Sequence, residues 1–478
     1  MSKPNILFVF TDEQRADTLG AYSSMSAHTP NLDKLASQSL LFENSYVTQP
    51  VCTPSRSSIM TGLYPHTNGC TANNIVLEQT FPTIAELWQD TEYHKGYFGK
   101  WHLGDEVFCQ HGFDEWVSIE DMYRPHFTES RDCDTPSDYQ IFLEEKGYKP
   151  DKEVEGYPAF SRTFAAGLPV EHTKPMFLAE ETGRFIRRNK EDPFMLFVNF
   201  LEPHMPFTGP YNDRYPEEHV DLPSNFDDIP DNEPLHCRLK REIFQRYGYG
   251  GHDLRDTSGW KRIRGNYLGL VDLVDEAVGN ILSVLEECSL DSNTIVVFTS
   301  DHGDMMGSHQ LLTKCVMYEE AVKVPFIMRI PGTDPCRIPN PVSQVDLVPT
   351  LLELCGQDIS SDLEGYSLLP CIQGDHPAED HVFIEWNGPN RTELLRKDES
   401  ISKEDIEAAA QHRGRTVISP LGWKLNWNEG DRHELYNLRE DPGEAANLYY
   451  TGTYDDVIAQ LKEKLMLWQE RTKDVVIS

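Results

Sequence analysis

Nowhere do apolar residues run unbroken for the about eighteen positions that a membrane span requires, and no tandem repeat or low-complexity stretch appears. Positive charge is scarce: Lys and Arg total 43 against 78 for Asp and Glu, a formal charge of -35. Such a field argues against nucleic acid and against a membrane as partners, and it obliges any anionic ligand to find a local cationic pocket. Cysteine is sparse as well. The ten residues (52, 70, 109, 133, 237, 288, 315, 336, 355, 371) include no Cys-x-x-Cys pair, which excludes zinc-ribbon and thioredoxin-type motifs and leaves too few for a disulfide scaffold. The opening Met-Ser-Lys-Pro passes straight into Asn5 without a long apolar leader. The chain as written therefore reads as cytoplasmic, or as periplasmic or secreted if an export signal has been removed. At 478 residues with 39% hydrophobic and 25% charged content, it has the size and composition for one large domain and a smaller one.

Three short, almost wholly apolar runs, Asn5–Phe10, Phe194–Phe200 and Thr294–Ser300, read as strands buried on both faces, the mark of a largely parallel sheet. Polar residues follow each run at once: Thr11-Asp12-Glu13-Gln14, Glu202-Pro203-His204 and Asp301-His302-Gly303-Asp304. Open α/β sheets bind ligands at the carboxyl ends of their strands, so these residues are placed for a site. Between the strands, Thr29-Pro30 opens a helix running to about Leu40. A stripe at Ile263, Tyr267, Leu270, Val271, Val274, Val278, Ile281 and Leu285 predicts a helix of about six turns, with Asp272 and Asp275 on its solvated face. Residues 105–190 and 208–260 read as loop-rich excursions. After about residue 370, short strands at His381–Trp386, Thr416–Ile418 and Trp423–Trp427, and a closing helix at Tyr454–Arg471, indicate a smaller antiparallel subdomain. The expectation is an α/β fold, with residues 1–370 as the main domain and 371–478 as the smaller one.

The most informative stretch is Val51-Cys52-Thr53-Pro54-Ser55-Arg56-Ser57-Ser58. It places a thiol where a loop enters a helix, with Pro54 suited to the first turn. An anion there meets free backbone N–H groups, the positive end of the helix dipole and the planar fork of Arg56. Those features suit a tetrahedral oxyanion, sulfate or phosphate.

Cys-x-Pro-Ser-Arg, followed by Ser-Ser-Ile-Met-Thr-Gly-Leu-Tyr-Pro-His at 57–66, closely resembles the signature of type I sulfatases of the alkaline phosphatase superfamily. Gly99-Lys100-Trp101-His102-Leu103-Gly104, the Pro203-His204-Met205-Pro206 element, Ser300-Asp301-His302-Gly303, and the Lys314 segment resemble further motifs of that family, in the same order. The resemblance implies an alkaline-phosphatase-like fold, with a large mixed central sheet flanked by helices. It implies oxidation of Cys52 to formylglycine by a formylglycine-generating enzyme, with the aldehyde hydrate as nucleophile. It implies one divalent cation on Asp12, Glu13, Asp301, His302 and the residue at 52. Many members carry Asp where this chain has Glu13, and Gln14 is the alternative oxygen donor. The oxygen-rich set favours calcium, with magnesium or manganese as alternatives.

Catalytic roles follow by the same resemblance. Arg56, Lys100 and Lys314 supply positive charge, His102 acts on the aldehyde hydrate, and His204 or Lys314 protonates the leaving oxygen. Lys100 and His102, two apart, are expected on one side of an extended segment. His66, Asn73 and Asn74, after the nucleophile helix, are candidate substrate contacts, and a sulfated saccharide held by loops 105–190 and 205–260 is the preferred substrate. The nearest alternative is a phosphonate or phosphate ester hydrolase of the same superfamily. A two-metal phosphatase is disfavoured by the lack of a second His and Asp cluster in the sequence, and an inactive sulfated-glycan-binding protein would be expected to lose one of Cys52, Arg56, Lys100 or His102.

Overall fold

Asn5–Phe10 and the two residues after it form β1 (Asn5–Asp12), near the middle of the larger sheet, in a computed structural model that describes residues 3–23, 27–375, 379–388 and 401–475. In chain order follow β2 (Leu40–Tyr46), β3 (His94–Gly99), β4 (Glu115–Val117), a small hairpin of β5 (Lys152–Val154) and β6 (Tyr157–Ala159), then β7 (Phe194–Pro203), β8 (Thr294–Ser300), β9 (Lys323–Arg329) and β10 (Cys336–Ser343). The larger sheet has the order β10-β2-β9-β8-β1-β7-β3-β4. Its pairings are parallel except around β9, which runs against both β8 and β2. The expected α/β class, with a mixed central sheet, is what the chain adopts.

Alternation along β1 explains why that strand is almost wholly apolar. Ile6, Phe8 and Phe10 enter one core with Phe197, Val297 and Leu351, while Leu7 and Val9 enter the other with Phe185, Val278 and Ile281. Each such side chain, fully buried, contributes about 1.5–3 kcal/mol. Because both faces are covered, only the strand ends remain for polar chemistry.

Several expectations need correction. The first helix, α1 (Pro30–Ser37), stops earlier than expected, and Leu40 and Leu41 open β2 instead. Their inward leucine spacing fits either period, and pairing with β9 and β10 decides for the strand. Residues 105–190 are not only a surface excursion, since they end in the Lys174–Arg188 helix, whose Phe177, Leu178, Phe185 and Ile186 are core. Likewise 208–260 contains the Leu235–Tyr247 helix.

The long helix is Thr257–Glu287. Asp272 and Asp275 on it are not solvated: both are buried. Asp275 accepts from the backbone N–H groups of Asn31 at 3.2 Å and Leu32 at 2.8 Å, and so caps α1 from another helix. Asp272 accepts from the His28 N–H at 3.0 Å and the Tyr215 hydroxyl at 2.7 Å. Periodicity on one helix cannot reveal that another element brings donors to its polar positions.

The second sheet is antiparallel, in the order β11 (Val382–Trp386), β12 (Arg413–Ile418), β13 (Trp423–Glu429) and β14 (Glu434–Asn437). The Asp455–Thr472 helix covers it through Ile458, Leu461 and Trp468, packed with Phe383, Val417 and Leu425. The Glu385 N–H donates to the Thr48 carbonyl at 2.7 Å and ties this sheet to the loop before Cys52. Among the described residues no helix is long and apolar enough to cross a membrane.

Candidate active site

The carboxyl ends of four adjacent strands, β8, β1, β7 and β3, deliver Asp301, Asp12, His204 and Lys100 to one place. Facing them is α2 (Cys52–Thr61), all ten of whose residues are buried. Cys52 is its first residue, and Gly62, in the left-handed region at φ 67°, ends it. The helix is seated by Ser55, whose hydroxyl donates to the Asp301 carbonyl at 2.5 Å, and by Asn73, whose side-chain oxygen accepts from the Thr53 N–H at 3.1 Å. Gln344 also braces this strand end by donating to the carbonyls of Ser300 and Asp301, each at 3.0 Å.

The Cys52 sulfur lies 3.3 Å from His302 Nε2, 3.7 Å from Asp12 Oδ1 and 3.2 Å from Lys314 Nζ. Burial and Asp12 push its pKa up, but Lys100, Lys314 and His302 outweigh them and bring it down to about 7. Arg56 spans the floor of the site. Its Nε donates to Asp301 Oδ2 at 2.9 Å, Nη2 to Asp12 Oδ2 at 2.8 Å, and Nη1 to the Lys100 carbonyl at 2.7 Å and Asn199 Oδ1 at 2.5 Å. Lys100 Nζ donates to Asp12 as well. Burial alone would raise the Asp12 pKa, yet Lys100, His204, Arg56 and Lys314 hold it well below the usual carboxylate range.

Asp12, Cys52, Asp301 and His302 each bring a donor atom within 4.8 Å of one another. This set could hold a hard divalent cation: two carboxylates, an imidazole and the residue at 52, and among the described residues the buried oxygens Glu13 Oε1 and Gln14 Oε1 accept no hydrogen bond. Burial, and behind it Asp304, pushes the Glu13 carboxyl up to about 8 against the pull of Lys314. Burial disfavours charge on His302, but Asp301 and the Cys52 sulfur outweigh it and hold that imidazole up to about 9. A cation among these groups would compensate carboxylates that burial otherwise penalises.

The fold also forms a grouping that the sequence did not disclose: Asp12, Glu13 and His204 converge too, with His204 Nε2 3.4 Å from Glu13 Oε2. Here the chain supplies its own cation. Lys314 Nζ sits 3.1 Å from Glu13 Oε2 and 3.9 Å from Asp12 Oδ1, an ammonium against the carboxylates that a second ion would otherwise neutralise.

Lys100 and His102 are brought together, though not by extended alternation. β3 ends at Gly99, whose φ of 116° and a would-be Cβ 1.9 Å from the Asn199 carbonyl oxygen restrict the position to glycine. His102 itself takes a φ of 57°. Glu106 sustains that turn by accepting the N–H groups of Trp101 at 2.8 Å and His102 at 2.6 Å. His102 Nε2 meets Asn74 Oδ1 at 2.8 Å, and its ring stacks on Tyr123 with centroids 4.2 Å apart. Burial first, then Lys100 and Arg56, hold its pKa well below the usual histidine value.

Of the three proposed substrate contacts, Asn74 lies on His102 and Asn73 caps α2, whereas His66 is engaged elsewhere. Its Nδ1 meets Glu385 Oε1 at 2.6 Å and its Nε2 the Thr472 carbonyl at 3.1 Å. Sequence reasoning missed Tyr123 and the buried ionic group behind it, in which Glu120 pairs with Arg162 and Lys174, and Arg162 Nη2 donates to the Tyr123 hydroxyl at 2.9 Å. These residues come from the 105–190 excursion and carry no spacing signal.

Comparison with known proteins agrees with this geometry. The Sulfatase family model matches residues 4–357, and a second model, "N-sulphoglucosamine sulphohydrolase, C-terminal", matches 307–471. The uncharacterized sulfatase YidJ of Escherichia coli (strain K12) is 28% identical, over 99% of this chain and 88% of that protein. The N-acetylglucosamine-6-O-sulfatase of Bacteroides thetaiotaomicron is 27% identical, over 99% of this chain and 87% of that one. Among solved structures, the phosphonate monoester hydrolase of Silicibacter pomeroyi shares the fold with a TM-score of 0.79 at 22% identity, covering 99% of this chain and 97% of that chain. With a family model spanning most of its length and a cationic, carboxylate-rich pocket built around one cysteine, the chain belongs to the sulfatase family of the alkaline phosphatase superfamily and is a sulfuric ester hydrolase.

Proposed function

We propose that this protein hydrolyses sulfate esters of carbohydrates, and that its nucleophile is the hydrate of a formylglycine made from Cys52 by a formylglycine-generating enzyme. The supporting observation is the closeness of Cys52 to His302, Asp12 and Lys314 at the start of a buried helix. The aldehyde hydrate supplies an oxygen nucleophile and later re-forms its carbonyl by expelling inorganic sulfate. A divalent cation, calcium by the hardness of its donors, is held by Asp12, Asp301, His302, the residue at 52 and either Glu13 or Gln14, and when bound supplies Lewis acidity and charge neutralisation.

The chain's own groups do the rest. Arg56 pairs with Asp12 and Asp301 and aligns both carboxylates. Lys100 and Lys314 place fixed positive charge against the nonbridging sulfate oxygens, where charge develops. His102, kept neutral by burial and by Lys100, accepts a proton from the second hydroxyl, with Asn74 orienting its ring. Protonation of the leaving oxygen falls to His204 or Lys314; burial and Lys314 keep His204 neutral at rest, which favours the lysine. Residues 1–370 carry this chemistry, and 371–478 form the smaller unit, tied to the loop before α2 by the Glu385 N–H on the Thr48 carbonyl. The carbohydrate assignment is supported by the relative named for N-acetylglucosamine-6-O-sulfate.

The test has two arms. Mass analysis of the peptide containing Cys52, from a host with the maturing enzyme, should find the aldehyde, and an unmodified thiol in fully active protein would refute the nucleophile. Sulfate release from a panel of sulfated saccharides, run beside an aryl sulfate and an aryl phosphonate, should favour the sulfates; faster phosphonate turnover would refute the substrate class.

A further inference from the structure

Away from the active site, three potential ligands meet at the seam between the Leu235–Tyr247 helix and the smaller sheet. One ring nitrogen each from His236 and His412 and a carboxylate oxygen of Asp431 all lie within 4.8 Å of one another. His236 stands on the first turn of that helix, His412 ends the Lys403–Gln411 helix just before β12, and Asp431 lies in the turn between β13 and β14. The two ends of the β12–β13 hairpin and a helix 176 residues before His412 thus converge on one point.

The donors are largely uncommitted. His412 is 4% exposed, and among the described residues neither of its ring nitrogens meets a partner at full hydrogen-bond geometry, the Asn428 amide interacting with it only loosely; His236 Nδ1 is buried and unpartnered too, while its Nε2 meets Cys237 Sγ at 3.5 Å. Buried imidazole nitrogens without partners are costly, which points to a ligand. The two rings stack with centroids 4.8 Å apart, and Trp386 stacks on the other side of His236 at 5.6 Å. Asp431 Oδ2 accepts the Leu235 N–H at 2.9 Å, so this carboxylate is already oriented by the helix that carries His236.

We propose that His236, His412 and Asp431 form a second metal site, for an imidazole-binding divalent transition ion of the zinc type, which clips the Leu235–Tyr247 helix to the smaller sheet. Two imidazoles and one carboxylate are a common zinc donor set, with the fourth position left to water. Ligand atoms about 2 Å from zinc stand about 3.3 Å apart, so side chains within 4.8 Å of one another need to close by at most about 1.5 Å. The clip has a mechanical consequence. One turn along the same helix from His236, Lys240 donates its Nζ to the Lys314 backbone carbonyl, so fixing the helix start also steadies a lysine that lies 3.2 Å from the Cys52 sulfur.

The experiment uses the full chain, stripped with chelator, saturated with calcium to fill the hard-donor centre, and then titrated with zinc chloride. A His302→Ala, His204→Ala background removes both imidazoles that approach the carboxylates of that centre. Wild type and this double variant should each retain one further zinc after gel filtration, with a higher melting temperature. Cobalt(II) in its place should give the visible d–d bands of a low-coordinate, nitrogen-containing site. His412→Ala and Asp431→Asn should each weaken zinc retention by about tenfold or more and abolish the melting shift. Asp431→Asn, at a half-buried turn, serves if His412→Ala does not fold. Absence of the additional zinc in wild type, or its undiminished retention in Asp431→Asn, would overturn the proposal.

Discussion

Lys314 Nζ stands 3.2 Å from the sulfur of Cys52, although 262 positions separate the two residues in the chain. The same ammonium reaches Glu13 Oε2 at 3.1 Å. One side chain therefore contacts a buried carboxyl and faces the nucleophile position. Lys314→Met should lower kcat/KM for an aryl sulfate by about 10²–10³, the usual cost of removing one preorganised electrostatic group. Lys314→Arg should recover part of the loss. Steady-state kinetics on the matured enzyme would check this, and equal rates for Lys314→Met and wild type would contradict it.

Arg56 has a different signature, because it holds structure as well as charge. It donates to two buried carboxylates, one backbone carbonyl and one amide oxygen, a set that no single ammonium can match. Arg56→Lys should lose activity and also destabilise the fold by about 3–5 kcal/mol, since Asp12 and Asp301 are left short of a partner. Denaturant unfolding reads the second effect. Lys314→Met, by comparison, should unfold closer to wild type.

His66 offers a pH test that separates a structural role from a substrate contact. Burial alone would lower its pKa, but Glu385 outweighs this and holds the ring up to about 9, against 6.5 as the reference value. A histidine with a raised folded pKa contributes stability fully below about pH 6.5 and loses it as pH rises through about 9. The stability gap between wild type and His66→Ala should be about 3 kcal/mol at pH 6 and should shrink above pH 9 in urea melts. KM for saccharide sulfates should hardly change, whereas a large KM effect without the pH-dependent gap would restore His66 as a substrate contact.

Asp275 is the simplest probe of long-range helix capping. Asp275→Ala leaves the Asn31 and Leu32 N–H groups unsatisfied at the start of α1 and should cost about 1–2 kcal/mol. Asp275→Asn, which keeps an acceptor, should cost less. Thermal unfolding of the two variants side by side gives the comparison.

The strands were legible because burial on both faces leaves an unmistakable apolar run, as in Asn5–Phe10; Asp12, His204, Asp301 and His302 were legible because they follow such runs, whereas Cys52, Arg56, Lys100, His102 and Lys314 were legible through their resemblance to sulfatase motifs. Other features could not be read in this way. Leu40 and Leu41 fit a helix as well as a strand until their pairing partners are known. Asp272 and Asp275 look solvated until α1 arrives beside them. Tyr123, Glu120, Arg162 and Lys174 belong to an excursion with no periodicity, so nothing local places them behind His102.

By itself the sequence determined which residue types cluster at strand ends, that one cysteine opens a helix suited to an oxyanion, and that a net negative chain must keep its cations for a pocket. These are local matters, set by a few neighbouring residues and by composition. Tertiary structure decided that Lys314 faces Glu13, that His66 braces the smaller sheet, and that His236 meets His412 and Asp431. Each of those depends on contacts between segments from 176 to 319 residues apart, where spatial distance bears no relation to spacing along the chain.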